Sequence, residues 1–374
     1  MVKRERETTL IIHIVQHLCP GGIETLALNM LNHALTEQKI IIVSLEGEKQ
    51  HALEQWPTLN NNKNQIIFLN KPASISTRTL FQLQRLFTQL KPDVVHTHHI
   101  GPLLYGGLAA KRSHVPVHIH TEHDAWHLEN RKNAWLQSNL LRFIRPKVVA
   151  DADLVREQLS RHTQYSDIIV IKNGIDCQKF TPKQPQPART RFNLPINKIL
   201  IGAAGRLETV KGHDILLQSV AKLPKSYCLA IAGIGSQADK LRQQAEQLNI
   251  SDRVFFLGLV EDMPSFYQSL DLFCLPSRYE GFPLSPLEAQ SCDVITLVTN
   301  VGASKETLCP ITGGCAKADD PDSLAEHIVR LTEQKKMTSP RQFVLENNSI
   351  QQMVSAYNDL VCDSLACNDL AYND

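Results

Sequence analysis

Short apolar runs alternate with segments of helical spacing along this chain, and this alternation constrains its fold most strongly. The runs Thr9–Val15 and Val94–Thr97 are short and rich in β-branched residues, which predicts buried strands. Between them, Thr77–Leu90 has apolar residues at helical spacing and predicts a helix. Strands that alternate with helices are typical of an α/β fold with a doubly wound parallel sheet.

The same pattern begins a second time after a proline-rich segment. Residues 181–187 contain three prolines and predict a stiff linker, and Lys198–Ala203 then predicts a new first strand. A chain of 374 residues is long enough for two domains. We therefore predict one domain over residues 1–180, a second over 181–345, and a last helix with a tail over 346–374.

Composition indicates a globular, cytoplasmic protein. Hydrophobic residues make up 43% of the chain and charged residues 21%, and no apolar run approaches the roughly 20 residues that span a bilayer. The run Leu10–Val15 is interrupted by His13 and has no small-residue cleavage site after it, which argues against a signal peptide. Nine cysteines without a CxxC pair argue against a disulfide framework or a zinc ribbon.

The net charge of +1 conceals a basic first half. Residues 1–180 contain 21 Lys and Arg against 16 Asp and Glu, which gives +5, and the remainder carries −4. Within this half, residues 131–147 combine apolar residues at helical spacing with five cations. The segment predicts a basic amphipathic helix that either packs on the core or lies on an anionic membrane face. A basic half favours anionic partners such as lipid phosphates.

Two carboxylates flank a predicted turn between a strand and a helix in the second half. The run Asp271–Pro276 predicts a buried strand that ends at proline. Beyond it, Ser285 is a candidate helix cap, with Pro286 at the first helical position and Glu288 three residues after the cap. Glu288 is therefore either half of a capping box or, with Glu280, part of a ligand site at the carboxyl edge of the sheet.

The run from Glu280 to Glu288, E-G-F-P-L-S-P-L-E, resembles the paired-glutamate motif of retaining GT-B glycosyltransferases of group 1, family 4. The resemblance implies two Rossmann-like domains that face each other across a cleft, with a nucleotide sugar held mainly by the second. In the family, Glu288 would accept hydrogen bonds from ribose and Glu280 would orient the donor sugar, with Leu284 and Ser285 lying at the donor.

Two cations precede a helix on a glycine-bounded turn of the second half. Arg206 can bind two diphosphate oxygens in a fork and Lys211 supplies a point charge, although a solvated surface pair is the alternative. Their sequence resembles the family's G-R-L and K-G motif, which implies binding of the donor diphosphate. By the same resemblance, backbone groups at Leu259 and Val260 would contact the nucleotide base.

The first half contributes a glycine turn. Gly21 and Gly22 lie between the first strand and the first helix, where they permit either a tight turn or the close approach of a ligand to backbone. The run G-G-I-E-T-L-A resembles the family's N-terminal glycine loop, which implies contact with the donor diphosphate and the acceptor.

Histidines gather after two predicted strands of the first half. The T-E-H-D run resembles the segment with the family's active-site histidine, which implies that role for His123. A metal site is the alternative, because His123 and His127 have the spacing of ligands on one helical face, but no third ligand is evident. His96, His98 and His99 are more typical of structural or pocket-lining residues.

Two features depart from the family pattern or end the chain. Asp293 replaces a usual glycine after Glu288, so the turn there must accommodate a side chain. The segment Ile350–Val361 predicts a helix that, in the family, returns to the first domain. Cys362–Asp374 predicts a frayed tail.

The resemblance implies transfer of a sugar from a UDP- or GDP-sugar to a glycan or lipid-linked acceptor with retention, in cell-surface polysaccharide or lipopolysaccharide biosynthesis. It implies no metal and no other cofactor, and no nucleic-acid partner; the enzyme would be peripheral on the inner face of the membrane if it binds lipid. A sugar-nucleotide epimerase and a catalytically silent sugar-nucleotide-binding subunit are the alternatives. A nicotinamide dehydrogenase is disfavoured, because G-x-G-x-x-G is absent.

Overall fold

A computed structural model describes residues 8–334 and 338–371, with side chains through residue 367. The chain forms two compact units: the first extends through Asn173 and resumes at Ile350, and the second is Gly174–Ser349. The first division lies before the predicted boundary at residue 180. The reason is that Ile175 pairs with Ser349 and donates its N–H to the Asn348 carbonyl, so this segment belongs to the second unit.

The first unit contains a seven-stranded sheet in which every pair is parallel, in the order β3-β2-β1-β4-β5-β6-β7. The strands are β1 (Thr9–Val15), β2 (Gln38–Ser44), β3 (Ile66–Phe68), β4 (Val94–His98), β5 (Val117–Glu122), β6 (Lys147–Ala150) and β7 (Ile168–Val170). The sheet confirms the α/β class and the parallel pairing predicted from the alternation.

Helices connect these strands, and a π-helical segment lies between two of the helices. They are α1 (Gly22–Asn32), α2 (Lys49–Gln55), α3 (Thr77–Leu90), α4 (Ile100–Pro102), α5 (Leu108–Arg112), α6 (Arg131–Ile144) and α7 (Asp153–Thr163), with the π segment Leu103–Gly107 between α4 and α5. Leucine, isoleucine and valine side chains from β1, β2 and α1 are buried together on one side of the sheet.

The second unit contains a six-stranded parallel sheet in the order β10-β9-β8-β11-β12-β13. Its strands are β8 (Ile199–Ala204), β9 (Tyr227–Ala232), β10 (Val254–Gly258), β11 (Leu272–Leu275), β12 (Ile295–Thr299) and β13 (Gly314–Ala316). Its helices are α8 (Pro185–Arg191), α9 (His213–Lys222), α10 (Ala238–Gln247), α11 (Met263–Gln268), α12 (Ser285–Ser291), α13 (Pro321–Glu333) and α14 (Pro340–Asn347).

The predicted linker is partly wrong, because Pro185–Arg191 is the helix α8. Pro185 takes the first helical position, where the missing N–H costs nothing and the fixed φ suits a helix. Arg189 is buried and fixes this helix, since its guanidinium donates to the Ser269 carbonyl at 2.8 Å and to Asp271 at 2.7 Å. Prolines that predicted an extended linker thus begin a helix instead.

The C-terminal helix, α15 (Ile350–Ala371), is longer than predicted and belongs to the first unit. Met353, Tyr357 and Val361 are buried in the core of that unit, and Leu365 packs against the same core. The prediction of a frayed tail from Cys362 is therefore wrong as far as residue 371, because the apolar spacing continues beyond Val361. Residues 372–374 lie outside the described part of the chain.

The residue that replaces a usual glycine adopts a glycine-like conformation. Asp293 has a φ of +67°, in the left-handed region that aspartate tolerates better than most residues. Its carboxylate accepts a hydrogen bond of 2.5 Å from the Ser339 hydroxyl. This bond shows how the turn accommodates a side chain.

Across residues 8–334 and 338–371, helices that combine enough length with enough apolar character to cross a bilayer are absent.

Candidate active site

The two predicted carboxylates of the second unit lie close to the turn between β11 and α12: Glu280 is on the turn and Glu288 is in the first turn of α12. Helix α12 begins at Ser285 with Pro286 in its first turn, and the cap position is occupied by Leu284, which makes no side-chain capping bond. The predicted capping by Ser285 is therefore wrong, since Ser285 is already helical. Leu284 is buried and Ser285 is half-buried at this helix start.

Glu288 does not form a capping box. Its Oε2 accepts a hydrogen bond of 2.7 Å from the phenol of Tyr267, which is fully buried. Burial raises the pKa of Glu288, and burial together with the facing carboxylate raises the pKa of Tyr267. Tyr267 thus fixes the Glu288 carboxyl group through this hydrogen bond. No local sequence motif predicts the contact, because the two residues come from different helices.

Glu280 contacts a residue of the other predicted motif. Its Oε1 accepts hydrogen bonds from Lys211 Nζ at 2.5 Å and from Ser277 Oγ at 2.6 Å. The Glu280 side chain is 9% exposed and that of Lys211 is 21% exposed, so the ion pair is largely shielded from water. Two site residues that lie 69 positions apart in the sequence therefore share one location.

Arg206 lies on the turn that follows β8. Gly205 and Gly233 have φ values of +147° and +150°, and a Cβ on Gly233 would lie 1.9 Å from the Gly205 carbonyl oxygen. The backbone of the turn at Gly205 therefore packs directly against the backbone of the turn at Gly233. The Lys211 side chain passes over Gly205, with its Cδ 3.7 Å from the position of a Cβ there. Arg206 itself is exposed, and its guanidinium forms no hydrogen bond or ion pair within the described residues.

Arg278, which the sequence analysis did not single out, joins the two loops of this site. Its Nη1 and Nη2 donate to the two carboxylate oxygens of Asp214, both at 2.8 Å, and Nη1 also donates to the Thr209 carbonyl at 2.5 Å. Its Nε donates to Asp319 at 2.6 Å. Because Thr209 precedes Lys211 and Arg278 precedes Glu280, these bonds connect the segment that contains Lys211 to the segment that contains Glu280.

The predicted base-binding residues lie just beyond β10. This strand ends at Gly258, whose carbonyl oxygen accepts a hydrogen bond of 2.7 Å from the N–H of Gly233. Leu259 is exposed and Val260 is half-buried. Both follow the carboxyl end of a strand, at the same edge of the sheet as Arg206.

In the first unit, the predicted glycine turn lies at the start of α1. Gly21 takes the cap position in an extended conformation, and Gly22 begins the helix. Glu24, in the first turn of this helix, is buried, and burial raises the pKa of its carboxyl group. The exposed His17 approaches it at 3.4 Å.

His123 is the middle of a buried hydrogen-bonded chain. Its Nδ1 lies 3.1 Å from Asp151 Oδ2, and its Nε2 lies 3.0 Å from His98 Nδ1. The chain continues from His98 Nε2 to His13 Nδ1 at 3.1 Å, and Asn173 donates to the same Asp151 oxygen at 2.9 Å. His98 ends β4, His123 follows β5 and Asp151 follows β6, so these three meet at the carboxyl edge of neighbouring strands, while His13 lies within the adjacent β1.

Asp151 determines which ring nitrogen donates and which accepts in this series of hydrogen bonds. Burial lowers the pKa of His13 to about 4, and burial with the neighbouring imidazoles lowers that of His98 well below its usual range, so both rings are neutral at neutral pH. A carboxylate only accepts, so Nδ1 of His123 donates to Asp151 and its Nε2 accepts from His98. Sequence reasoning missed Asp151 and His13, because only the sheet order brings them together.

The predicted pairing of His123 with His127 as metal ligands is not what the structure contains. His123 lies in the loop after β5, whereas His127 lies in the short 3₁₀ segment Trp126–Glu129, so the two do not share a helical face. Both ring nitrogens of His123 also bond within the chain from His13 to Asp151.

Two Rossmann-like units, each with a doubly wound parallel sheet, define a GT-B fold. Solved structures share it: the HepE protein of Anabaena, in complex with UDP and glucose, aligns with a TM-score of 0.82 over 95% of this chain and 100% of that chain, at 18% identity. A glycosyltransferase from Rickettsia africae aligns with a TM-score of 0.80 over 96% and 99%, at 20% identity.

The family is shown by sequence. Glycosyl transferases group 1 matches residues 186–352, and Glycosyltransferase Family 4 matches residues 20–179. This chain belongs to the group 1 glycosyltransferase family, as the paired-glutamate motif indicated.

Two relatives illustrate the range of the family. The D-inositol 3-phosphate glycosyltransferase of Mycolicibacterium smegmatis is 35% identical over 231 residues, which cover 56% of this chain and 52% of that protein. The chain thus spans about half the length of that relative. The UDP-Gal:alpha-D-GlcNAc-diphosphoundecaprenol alpha-1,3-galactosyltransferase of Escherichia coli is 27% identical over 304 residues, 75% of this chain and 76% of that protein.

Proposed function

We propose that this protein transfers a sugar from a nucleotide-diphosphate donor to a glycan or lipid-linked acceptor, with retention of the anomeric configuration. The contact between Lys211 and Glu280 carries the proposal. It joins a cation and a carboxylate from two distant motifs beside the exposed Arg206, at the sheet edge where α/β proteins bind ligands. Membership of the group 1 family supports the same reaction.

The chemistry follows from charge. As the bond to the anomeric carbon breaks, positive charge develops on the sugar and negative charge on the leaving diphosphate. Arg206 would bind two of its oxygens in a fork, and Lys211 would add a point charge. We propose that these fixed cations stabilise the leaving group without a metal ion. Glu280 would orient the donor sugar, and His123 would hold the sugar or the acceptor.

The substrates are proposed from the relatives. HepE has been crystallised with UDP-glucose, and the Escherichia coli relative is named for a UDP-galactose donor and a diphosphoundecaprenol-linked acceptor. We extend both classes to this chain, with a UDP-sugar preferred to a GDP-sugar and an acceptor that belongs to cell-surface polysaccharide or lipopolysaccharide biosynthesis. In the second unit, Leu259, Val260 and the Leu284–Ser285 helix start would line the donor.

A donor panel tests this function together with Glu288. We expect a UDP-sugar to raise the melting temperature of the protein, because a ligand that binds only the folded state stabilises it. Glu288→Gln should weaken donor binding about tenfold, since a charge-assisted hydrogen bond to ribose is lost. Glu326→Gln, which makes the same change at an exposed glutamate of α13, is the matched control and should bind the donor like wild type.

The same panel separates the alternatives. Transfer or slow donor hydrolysis supports a transferase, whereas epimerised donor without an acceptor would indicate an epimerase. Donor binding without turnover under any acceptor would indicate a silent subunit. Unchanged donor affinity in Glu288→Gln would contradict the assigned role of this carboxylate.

We also propose that α6 binds an anionic membrane surface. Its inner side is part of the core through Leu140, Leu141 and Ile144. Its outer side exposes two aromatic side chains, Trp135 at 69% and Phe143 at 59%. Five exposed cations lie on or just beyond this helix: Arg131, Lys132, Arg142, Arg145 and Lys147.

The helix therefore serves both of the roles that the sequence left open as alternatives. Phe143 is exposed, and the Lys111 ammonium lies 4.7 Å from the centre of its ring. Aromatic rings and cations on one exposed side match the interface of an anionic bilayer.

Vesicle sedimentation tests this surface. We expect the protein to bind vesicles that contain anionic lipid and to bind neutral vesicles weakly, because each basic residue near the surface contributes about 1 kcal/mol. The double variant Trp135→Ala, Phe143→Ala should bind at least about tenfold more weakly. Phe81→Ala, which removes an exposed aromatic on α3, is the matched control. Equal and negligible binding to both vesicle types would remove the proposal.

A further inference from the structure

Two histidines and an aspartate converge at the carboxyl edge of the first sheet, outside the hydrogen-bonded chain of His123. His99 follows β4, Asp124 follows β5, and His127 lies two residues after Ala125. His99 Nε2 lies 3.3 Å from Asp124 Oδ2, and His127 Nδ1 lies 3.3 Å from Asp124 Oδ1. One ligand atom from each residue lies within 4.8 Å of the others.

Each histidine nitrogen lies from an Asp124 oxygen at the separation expected of two ligands on one ion, and the two histidines face different oxygens of that carboxylate. Nitrogen and oxygen ligands lie about 2.0–2.1 Å from a tetrahedral zinc, which places neighbouring ligands about 3.3 Å apart. Two imidazoles and one carboxylate are also a ligand set that proteins use for divalent transition metals with an open coordination position. All three side chains are partly exposed, so an ion can reach them.

Contacts outside the cluster occupy one ring nitrogen of each histidine, and the other nitrogen of each faces Asp124. His99 Nδ1 lies 2.7 Å from Glu122 Oε1, so its Nε2 faces Asp124. His127 Nε2 lies 2.9 Å from Gln137 Oε1, so its Nδ1 faces Asp124. The Gln137 amide also donates to Glu122, which links the two outer partners. Metal-bound histidines are held in this way by carboxylates and amides.

The backbone at His99 supports a specialised role. Its φ of +69° and ψ of 169° lie in a region that is nearly confined to glycine. Such a conformation is strained and persists only where the surroundings require it. Here it turns the chain out of β4 so that the imidazole lies beside Glu122 and Asp124.

Two other groups within the described residues also bring three ligand atoms together. The rings of His13, His96 and His98 stack with centroids 4.2–5.4 Å apart, and His13 and His98 already bond to each other. In the group of His17, Cys19 and Glu24, the histidine is exposed.

We propose that His99, Asp124 and His127 form a binding site for a divalent transition-metal ion, for which zinc is the best match. The site does not depend on the proposed sugar transfer, whose cations lie in the second unit. Bound metal would fix the segment that directly follows His123.

Zinc binding to the full-length protein without an affinity tag tests the site. We expect one Zn²⁺ per chain by equilibrium dialysis, with affinity measured by competition with a chromophoric chelator. His127→Gln and Asp124→Asn should each weaken binding at least about 100-fold, since loss of an outer partner alone costs 10- to 100-fold. Co²⁺ in the site should show the intense visible absorption of a four-coordinate nitrogen and oxygen site.

The chain contains 15 histidines, so the control must exclude binding at the surface. His162→Gln removes an exposed histidine of α7 and should bind zinc like wild type. Asp124→Asn changes no volume and carries the test if His127→Gln does not fold. Absence of stoichiometric zinc, or equal affinity in wild type and both ligand variants, would overturn the proposal. Unchanged UDP binding in all variants would separate this result from the donor site.

Discussion

Alanine at both Arg206 and Lys211 is expected to lower kcat by about 10²-fold or more. The reason is that fixed cations stabilise the diphosphate most strongly when the glycosidic bond breaks, so their loss raises the barrier more than it weakens ground-state binding. Arg206→Ala alone is the cleanest variant, because its exposed guanidinium has no hydrogen bond or ion pair among the described residues to lose. The measurement is steady-state transfer with a UDP-sugar donor.

Lys211→Ala needs more care, because it also leaves Glu280 without its cation. Lys211→Arg keeps the charge and should retain more activity than Lys211→Ala. Arg330→Ala, which removes an exposed arginine on α13, is the matched control and should leave kcat unchanged. Circular dichroism and the melting temperature report the fold of each variant. Near-normal turnover in the folded double variant would refute the diphosphate-binding role.

Asp151→Asn is expected to lower kcat by about 10²-fold with the fold retained. Asparagine has the shape of aspartate and can place its amide oxygen where His123 and Asn173 now contact Asp151 Oδ2, but this oxygen carries no charge. An uncharged acceptor holds the Nδ1–H form and the orientation of the His123 ring less firmly than a carboxylate does. A ring displaced by about 1 Å from its working position costs roughly this factor.

Nitrogen-15 NMR of the histidine rings distinguishes this effect from a general loss of structure. Wild type should show the Nδ1–H form of His123, and Asp151→Asn should show a changed tautomer with donor affinity unaltered. Asp153→Asn, two residues away and exposed, is the matched control. Wild-type kcat in a folded Asp151→Asn protein would show that the hydrogen-bonded chain has no part in positioning His123.

Residues close in sequence were the ones that sequence reasoning placed correctly. The parallel sheets follow from apolar runs that alternate with helices, because each run buries both faces and needs a crossover helix. Glu280 lies on the predicted turn after β11 and Glu288 lies in the helix that follows it, since one local motif includes the strand, the turn and the helix. Two local predictions were wrong, namely the helix cap at Ser285 and the linker at Pro185. Both residues are instead the first residues of helices, and short motifs do not determine which residue begins a helix.

The sequence by itself determined the fold class, the family, and most residues expected to meet the donor, because short motifs and apolar periodicity are local properties. The tertiary structure decided which of these side chains touch: Lys211 with Glu280, Glu288 with Tyr267, and His123 with Asp151. It also brings His99, and not His123, beside Asp124 and His127. Strand order brings distant carboxyl ends to one edge, and spacing along the chain does not encode that order.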